Sequence, residues 1–174
     1  MDRLWSPWRY DYIKSGAAED AQAKKNDSEA HACVFCAILQ SAGDDESKFI
    51  LHRARYNFIL LNLYPYTSGH MMIVPYEHMA DLDAATDEVT NELMHLTKRC
   101  ERALREVYRP DGFNIGMNLG AAAGAGVAGH FHQHILPRWM GDANFMTTVG
   151  ETRVLPEELS TTYQKLHIHF SPTT

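Results

Sequence analysis

No stretch of this chain approaches the roughly 18 consecutive apolar residues that a membrane-spanning helix needs. The opening residues, Met1-Asp2-Arg3-Leu4-Trp5, carry no secretory hydrophobic core. Positive charge is also scarce: 16 Lys and Arg stand against 22 Asp and Glu, for a net charge of -6. Sequence-independent binding of nucleic acid needs a basic surface, so that class is excluded, whereas a small anion held in a local site is not. Cysteine is sparse and odd in number, at three residues. That excludes a disulfide scaffold and makes a reducing, cytoplasmic setting the expectation. No internal repeat is present. What remains is 174 residues, 45% apolar and 22% charged, which is enough for one globular domain with its own core.

The chain opens on an aromatic arm from Leu4 to Ile13, followed by small, charged and polar residues at 14–31 that read as a flexible linker. After Cys33-Val34-Phe35-Cys36 a short helix runs to Gln40. Strands are expected over Phe49–His52, Tyr56–Asn62, His70–Val74 and Phe113–Asn118, with a turn at Tyr64–Gly69. Thr86, followed by Asp87 and Glu88, opens a helix as a capping hydroxyl with early acids. Val89, Leu93, Leu96, Cys100, Leu104 and Val107 then repeat at spacings of three and four, one apolar helical face that ends at Arg109-Pro110-Asp111-Gly112. Cys100 on that stripe is a core residue. Pro156 opens a weaker C-terminal helix to about Leu166. Strands against one long helix, without regular βαβ alternation, give an α+β fold with a mainly antiparallel sheet of about five strands.

The most informative segment is Gly129-His130-Phe131-His132-Gln133-His134-Ile135-Leu136-Pro137. Side chains on a strand alternate between faces, so His130, His132 and His134 share one face, about 6–7 Å apart. One imidazole can then act as nucleophile while its neighbours orient it; a metal-binding or merely solvated face is the plainer alternative. A Gly/Ala-rich run, Gly120 to Gly129, precedes the histidines. Its main-chain N–H groups can approach phosphate closely, although by composition alone it is a flexible loop. Cys33 and Cys36 have zinc-ligand spacing, but alone they make only half a site; a redox pair or two packed thiols are the other readings.

The histidine segment resembles the signature of the histidine triad superfamily. Leu4-Trp5-Ser6-Pro7-Trp8-Arg9, Leu61-Asn62-Leu63-Tyr64-Pro65-Tyr66, Gly112 to Gly120 and Leu136 to Phe145 extend the resemblance, in order, to its bacterial diadenosine tetraphosphate phosphorylase branch. The resemblance implies a nucleotidyltransferase that cleaves diadenosine tetraphosphate with phosphate into ATP and ADP, and a homodimer, with the 86–108 helix as a natural interface. The nucleophile would be His132, with His134 and His70 orienting it or bonding a phosphate oxygen. For His70 a buried histidine bonded to backbone is the plainer reading. Asn62 would bind ribose, and Asn118 phosphate or ribose. Gly126 and Val127 would contact the α-phosphate, and Trp139 would flank the base or simply pack. Many members carry Gln and Ser or Thr where this chain has Gly126 and Val127, so contact here must come from backbone. Zinc-containing relatives add His78 and His130 to the cysteine pair, which implies a structural zinc site of Cys33, Cys36, His78 and His130. A hydrolase using water and a non-catalytic nucleotide- or zinc-binding protein are the alternative functions. His167 and His169 fall outside every motif, as surface or packing residues.

Overall fold

The computed structural model describes residues 33–150 and 155–170. The aromatic arm and the linker lie outside the described residues. Five strands, β1 (Ile50–Arg53), β2 (Asn57–Leu61), β3 (Met71–Pro75), β4 (Gly112–Met117) and β5 (Gln133–Arg138), form one sheet in the order β1-β2-β3-β5-β4. Every neighbouring pair is antiparallel. The helices among the described residues are α1 (Val34–Gln40), α2 (Asp87–Tyr108), α3 (Phe145–Thr148) and α4 (Leu159–His167).

Alternation along β2 and β3 divides the core between the two faces of the sheet. Ile59, Leu61, Met71, Ile73 and Ile135 pack against Leu93, Leu96, Cys100 and Leu104 of α2, with Tyr163 and Leu166 of α4 closing the cluster. Phe58, Leu60, Met72 and Val74 point the other way and meet Cys33 and Phe35, with Ile38 and Leu39 of α1 at the margin. Both central strands are therefore buried on both faces, and their sequences read as continuous apolar runs instead of alternating ones. Each fully buried Leu or Ile contributes about 1.5–3 kcal/mol. Cys100 is fully buried, and burial pushes its thiol well above the usual range.

Three local expectations need correction. The histidine strand begins only at Gln133, so His134 alone of the three histidines lies in it. Extending the β3–β5 register beyond Ile73↔Gln133 would set residue 131 against Pro75, which has no N–H to give; the Phe131 amide bonds instead to the Met79 carbonyl at 2.8 Å. Thr86 does stand at the N-cap of α2, but its hydroxyl makes no capping bond. Asp87 and Glu88 in the first turn are left to complement the helix dipole. The last helix starts at Leu159, not Pro156, because Glu158 is the extended N-cap. Glu157 just before it turns its carboxylate inward to Tyr108 and Thr162.

Two further positions fix the frame around the site. Gly69 has φ +78°, and a Cβ there would lie 2.8 Å from Leu104 Cδ2, so glycine lets this loop close onto α2 immediately before His70. Glu92 of α2 accepts hydrogen bonds from the amides of Arg55, Tyr56 and Asn57 at 3.0, 2.8 and 2.8 Å, and from Asn57 Nδ2 at 2.9 Å. Burial alone would raise its pKa, but these donors outweigh burial and hold it below the usual carboxylate range. Replacing Glu92 with Ala takes the acceptor from three main-chain amides and leaves the fully buried Asn57 Nδ2 with only the Val89 carbonyl, at 3.1 Å, and is expected to cost about 1–3 kcal/mol in urea denaturation at pH 7. A carboxylate with a depressed folded pKa loses its contribution as pH falls through that value, so the gap from wild type should close in acid.

Candidate active site

The alternation inferred for the histidine segment persists outside the strand. Phe131 enters the core on the α2 side, and Gln133 donates to Thr97 Oγ1 of α2 at 2.6 Å, so the amide opposite the histidines is hydrogen-bonded. On the other side Phe35 of α1 packs its ring 5.5 Å from that of His130 and 5.0 Å from that of His132. His132 is only 5% exposed, and its ring lies 4.8 Å from that of His134.

Hydrogen-bond partners decide which nitrogen of each ring carries the proton. His132 Nδ1 lies 3.0 Å from the His130 carbonyl, which can only accept. Nδ1 is therefore the donor, and Nε2 keeps a bare lone pair. The Tyr66 amide donates to His70 Nδ1 at 3.2 Å, so the proton of His70 is on Nε2, 2.9 Å from His134 Nδ1. His134 accepts there and keeps its own N–H at Nε2. Burial, with His132 beside it, pushes the His134 imidazole down to about 4, so the ring is neutral at physiological pH.

A cavity of about 390 Å3 opens over these rings. His132, His134, Asn62, Asn118, Gly126 and Val127 all line it, with Phe35, Leu60 and Met72 as apolar walls. His70 stands behind, 1% exposed, as the support of His134. Asn62 ties this corner together: its amide lies 3.4 Å from His70 Nδ1 and its Oδ1 accepts from the Tyr64 amide at 2.9 Å. Asn118 Nδ2 donates to the Gly124 carbonyl at 3.5 Å, across the Gly/Ala loop. Trp139 does not line this cavity; its ring meets Tyr108 edge-on at 6.4 Å. His167 is exposed beside Tyr163, and His169 bonds to Glu106.

Cys33, Cys36, His78 and His130 converge, with all four ligand atoms within 4.8 Å of one another. Cys33 Sγ is 3.3 Å from His130 Nδ1, and Cys36 Sγ is 3.5 Å from His78 Nδ1 and 3.7 Å from His130 Nδ1. A tetrahedral zinc with ordinary bond lengths sets its ligand atoms about 3.3–3.8 Å apart, so the set fits. His130 Nε2 donates to the Pro75 carbonyl at 3.0 Å, which leaves Nδ1 bare toward the thiols. Burial pushes His130 down to about 4, so it is neutral as a ligand must be.

Two residues escaped the sequence reading. Phe35 lies between the two cysteines and looks like filler, yet its ring supports two histidines. Tyr66 sits in an ordinary turn sequence, yet its ring lies 4.7 Å from that of His70 and 6.1 Å from that of His134. Neither has a spacing signal: Phe35 meets His130 and His132, and Tyr66 meets His134, from far along the chain.

A HIT domain family model matches residues 43–140. A Mycobacterium tuberculosis protein described as an AP-4-A phosphorylase is 40% identical over 166 residues, covering 95% of this chain and 83% of its own. Protein hit of Bacillus subtilis is 33% identical over 110 residues, covering 63% of this chain and 73% of its own. Among solved structures, a zinc-bound histidine triad family protein from Mycobacterium smegmatis superposes with a TM-score of 0.64 at 28% identity, covering 81% of this chain and 94% of that one.

The hydrogen-bond pattern makes two expectations for NMR. His132 should appear as the Nδ1–H tautomer, and His134 should titrate near pH 4. A midpoint for His134 above 6 would contradict the burial argument. Because its folded pKa lies below the unfolded value, the unfolded chain takes up this proton first, and the site should destabilise the fold as pH falls from about 6.5 toward 4.

Proposed function

The chain belongs to the HIT domain family, and we propose that it is a nucleotidyltransferase that cleaves diadenosine tetraphosphate by phosphorolysis, with His132 as nucleophile. One observation carries the reading: His132 donates Nδ1–H to a main-chain carbonyl and keeps Nε2 bare at a cavity sized for one nucleotide. The similar M. tuberculosis phosphorylase supports the substrate and the acceptor.

In the first half-reaction the Nε2 lone pair forms a bond to the α-phosphorus, and the bond from that phosphorus to the bridging oxygen breaks, releasing ATP. Positive charge gathers on the imidazole as the phosphorus–nitrogen bond forms, and the His130 carbonyl on the Nδ1 proton stabilises it. In the second half-reaction an oxygen of inorganic phosphate attacks the same phosphorus and the bond to Nε2 breaks, giving ADP. ATP is a good leaving group without protonation, so positioning and charge stabilisation supply most of the acceleration. His134 offers Nε2–H to a phosphate oxygen, held in that tautomer by His70. The main chain around Gly126 and Val127 meets the α-phosphate in place of Lys and Arg. Asn62 and Asn118 orient ribose and phosphate.

The same proposal assigns a structural zinc to Cys33, Cys36, His78 and His130, which tie the start of α1 to the histidine segment. Bound zinc would close that tetrahedron and supply no open coordination position for the reaction. A homodimer is part of the reading; the apolar face of the 86–108 helix, expected at the interface, is buried against the chain's own sheet, whereas β4 ends that sheet and its Ile115 is 44% exposed.

Incubation with diadenosine tetraphosphate should yield ADP and ATP only when phosphate is present. AMP and ATP regardless of phosphate would identify a hydrolase instead. His132→Ala should abolish turnover while retaining nucleotide binding by calorimetry; an active variant refutes the assignment. Metal analysis should find about one zinc per chain, absent from the Cys33→Ser/Cys36→Ser variant. A folded wild-type protein free of zinc would refute the metal site.

A further inference from the structure

A second, larger cavity of about 790 Å3 lies beside the one over the histidines, and Tyr66 lines both. Strand β5 connects them. Its inward residues Gln133, Ile135 and Pro137 are buried, while His134, Leu136 and Arg138 stand on the opposite face. His134 lines the first cavity, and Leu136 and Arg138 line the second. Successive residues on one face of a strand are about 6–7 Å apart, so the two cavities adjoin along a continuous surface.

The walls of the second cavity define what it can take. Tyr108 and Trp139 meet edge-on and, with Tyr66 at the junction, supply aromatic surface. The two cations among its described lining residues are already neutralised. Arg138 donates to both carboxylate oxygens of Asp142, at 2.5 and 2.7 Å, and Lys165 is paired with Glu157. Glu157 also accepts from the Tyr108 hydroxyl at 2.5 Å and from Thr162 at 2.8 Å, which fixes the tyrosine wall. Among the described residues of these walls a phosphate would find no uncompensated positive charge. A flat heterocycle with a polar sugar would find aromatic faces and hydrogen-bonding groups.

We propose that this second cavity is the site of the distal nucleoside of the substrate, the one that leaves attached to the triphosphate when the α-phosphorus is transferred. The inference rests on the reading of the first cavity as the place where nucleotidyl transfer occurs. It follows because a dinucleoside polyphosphate has two nucleosides, a cavity of about 390 Å3 accommodates one, and the chain leaving His134 passes Tyr66 directly into the second. The polyphosphate then crosses the surface at Tyr66 and Leu136, and recognition of the second base makes dinucleoside polyphosphates better substrates than nucleoside polyphosphates of the same length.

Two substrates separate this subsite from the chemistry. Diadenosine tetraphosphate presents both nucleosides, and adenosine 5′-tetraphosphate presents only one. Ala143 is exposed at the rim of the second cavity, so Ala143→Trp fills it without disturbing the core. Trp139→Leu removes an aromatic wall and serves as the second variant. In both, the ratio of kcat/KM for the dinucleotide to kcat/KM for adenosine 5′-tetraphosphate should fall about tenfold, the loss expected for one stacked base. A merely structural role would lower both values together. An unchanged ratio in both variants would overturn the subsite while leaving nucleotidyl transfer intact. Turnover of neither substrate by the wild-type protein would overturn the underlying reading, and the subsite with it.

Discussion

The site turns on the hydrogen bond from His132 Nδ1 to the carbonyl of His130, a contact between residues two apart in sequence. It fixes the ring, selects the tautomer and supplies a dipole where positive charge would gather. Its geometry depends on where the His130 backbone lies. That backbone is held from three sides: the His130 ring donates to the Pro75 carbonyl, its other nitrogen faces the two thiols, and Phe131 is buried beneath α2. The proposed nucleophile thus gains its orientation from the sheet, the Cys/His cluster and the core together.

The two faces of the sheet divide the work. Toward α2 the packing is mostly apolar, and the two side-chain amides that alternation sends into that layer are hydrogen-bonded to the helix, Gln133 to Thr97 and Asn57 to Glu92 and the Val89 carbonyl. Toward α1, His134 on β5 and His132 just before it face a cavity beside a Gly/Ala loop. An acidic chain with few free cations at this site has to recognise an anion by other means. In the proposed reaction main-chain amides and imidazole N–H donors would serve, because they offer positive partial charge without the desolvation cost of a buried ammonium or guanidinium.

The order of the elements was legible because periodicity records burial. The long stripe from Val89 to Val107 became α2, and four expected strands match observed ones with every end shifted by one residue. The histidine segment shows where such reading stops. Its period-two pattern correctly put Phe131 and Gln133 opposite the histidines, but strand pairing there depends on what stands across the register, and Pro75 withdraws its donor. The convergence of Cys33 and Cys36 with His78 and His130 was legible only through resemblance, since cysteine spacing defines no partner 42 or 94 residues away. Phe35 and Tyr66 have no local signature. Trp139, read as flanking the base or simply packing, lies outside the histidine cavity and lines the adjoining one.

The central claim is that His132 Nε2 takes the nucleotidyl group. The direct measurement is mass spectrometry of wild-type protein mixed with diadenosine tetraphosphate without phosphate, quenched rapidly and mapped by peptide. The account predicts an acid-labile adenylyl adduct on the peptide carrying His132, lost with formation of ADP when phosphate is added. Sustained phosphorolysis with no adduct, or an adduct on another residue, would contradict it.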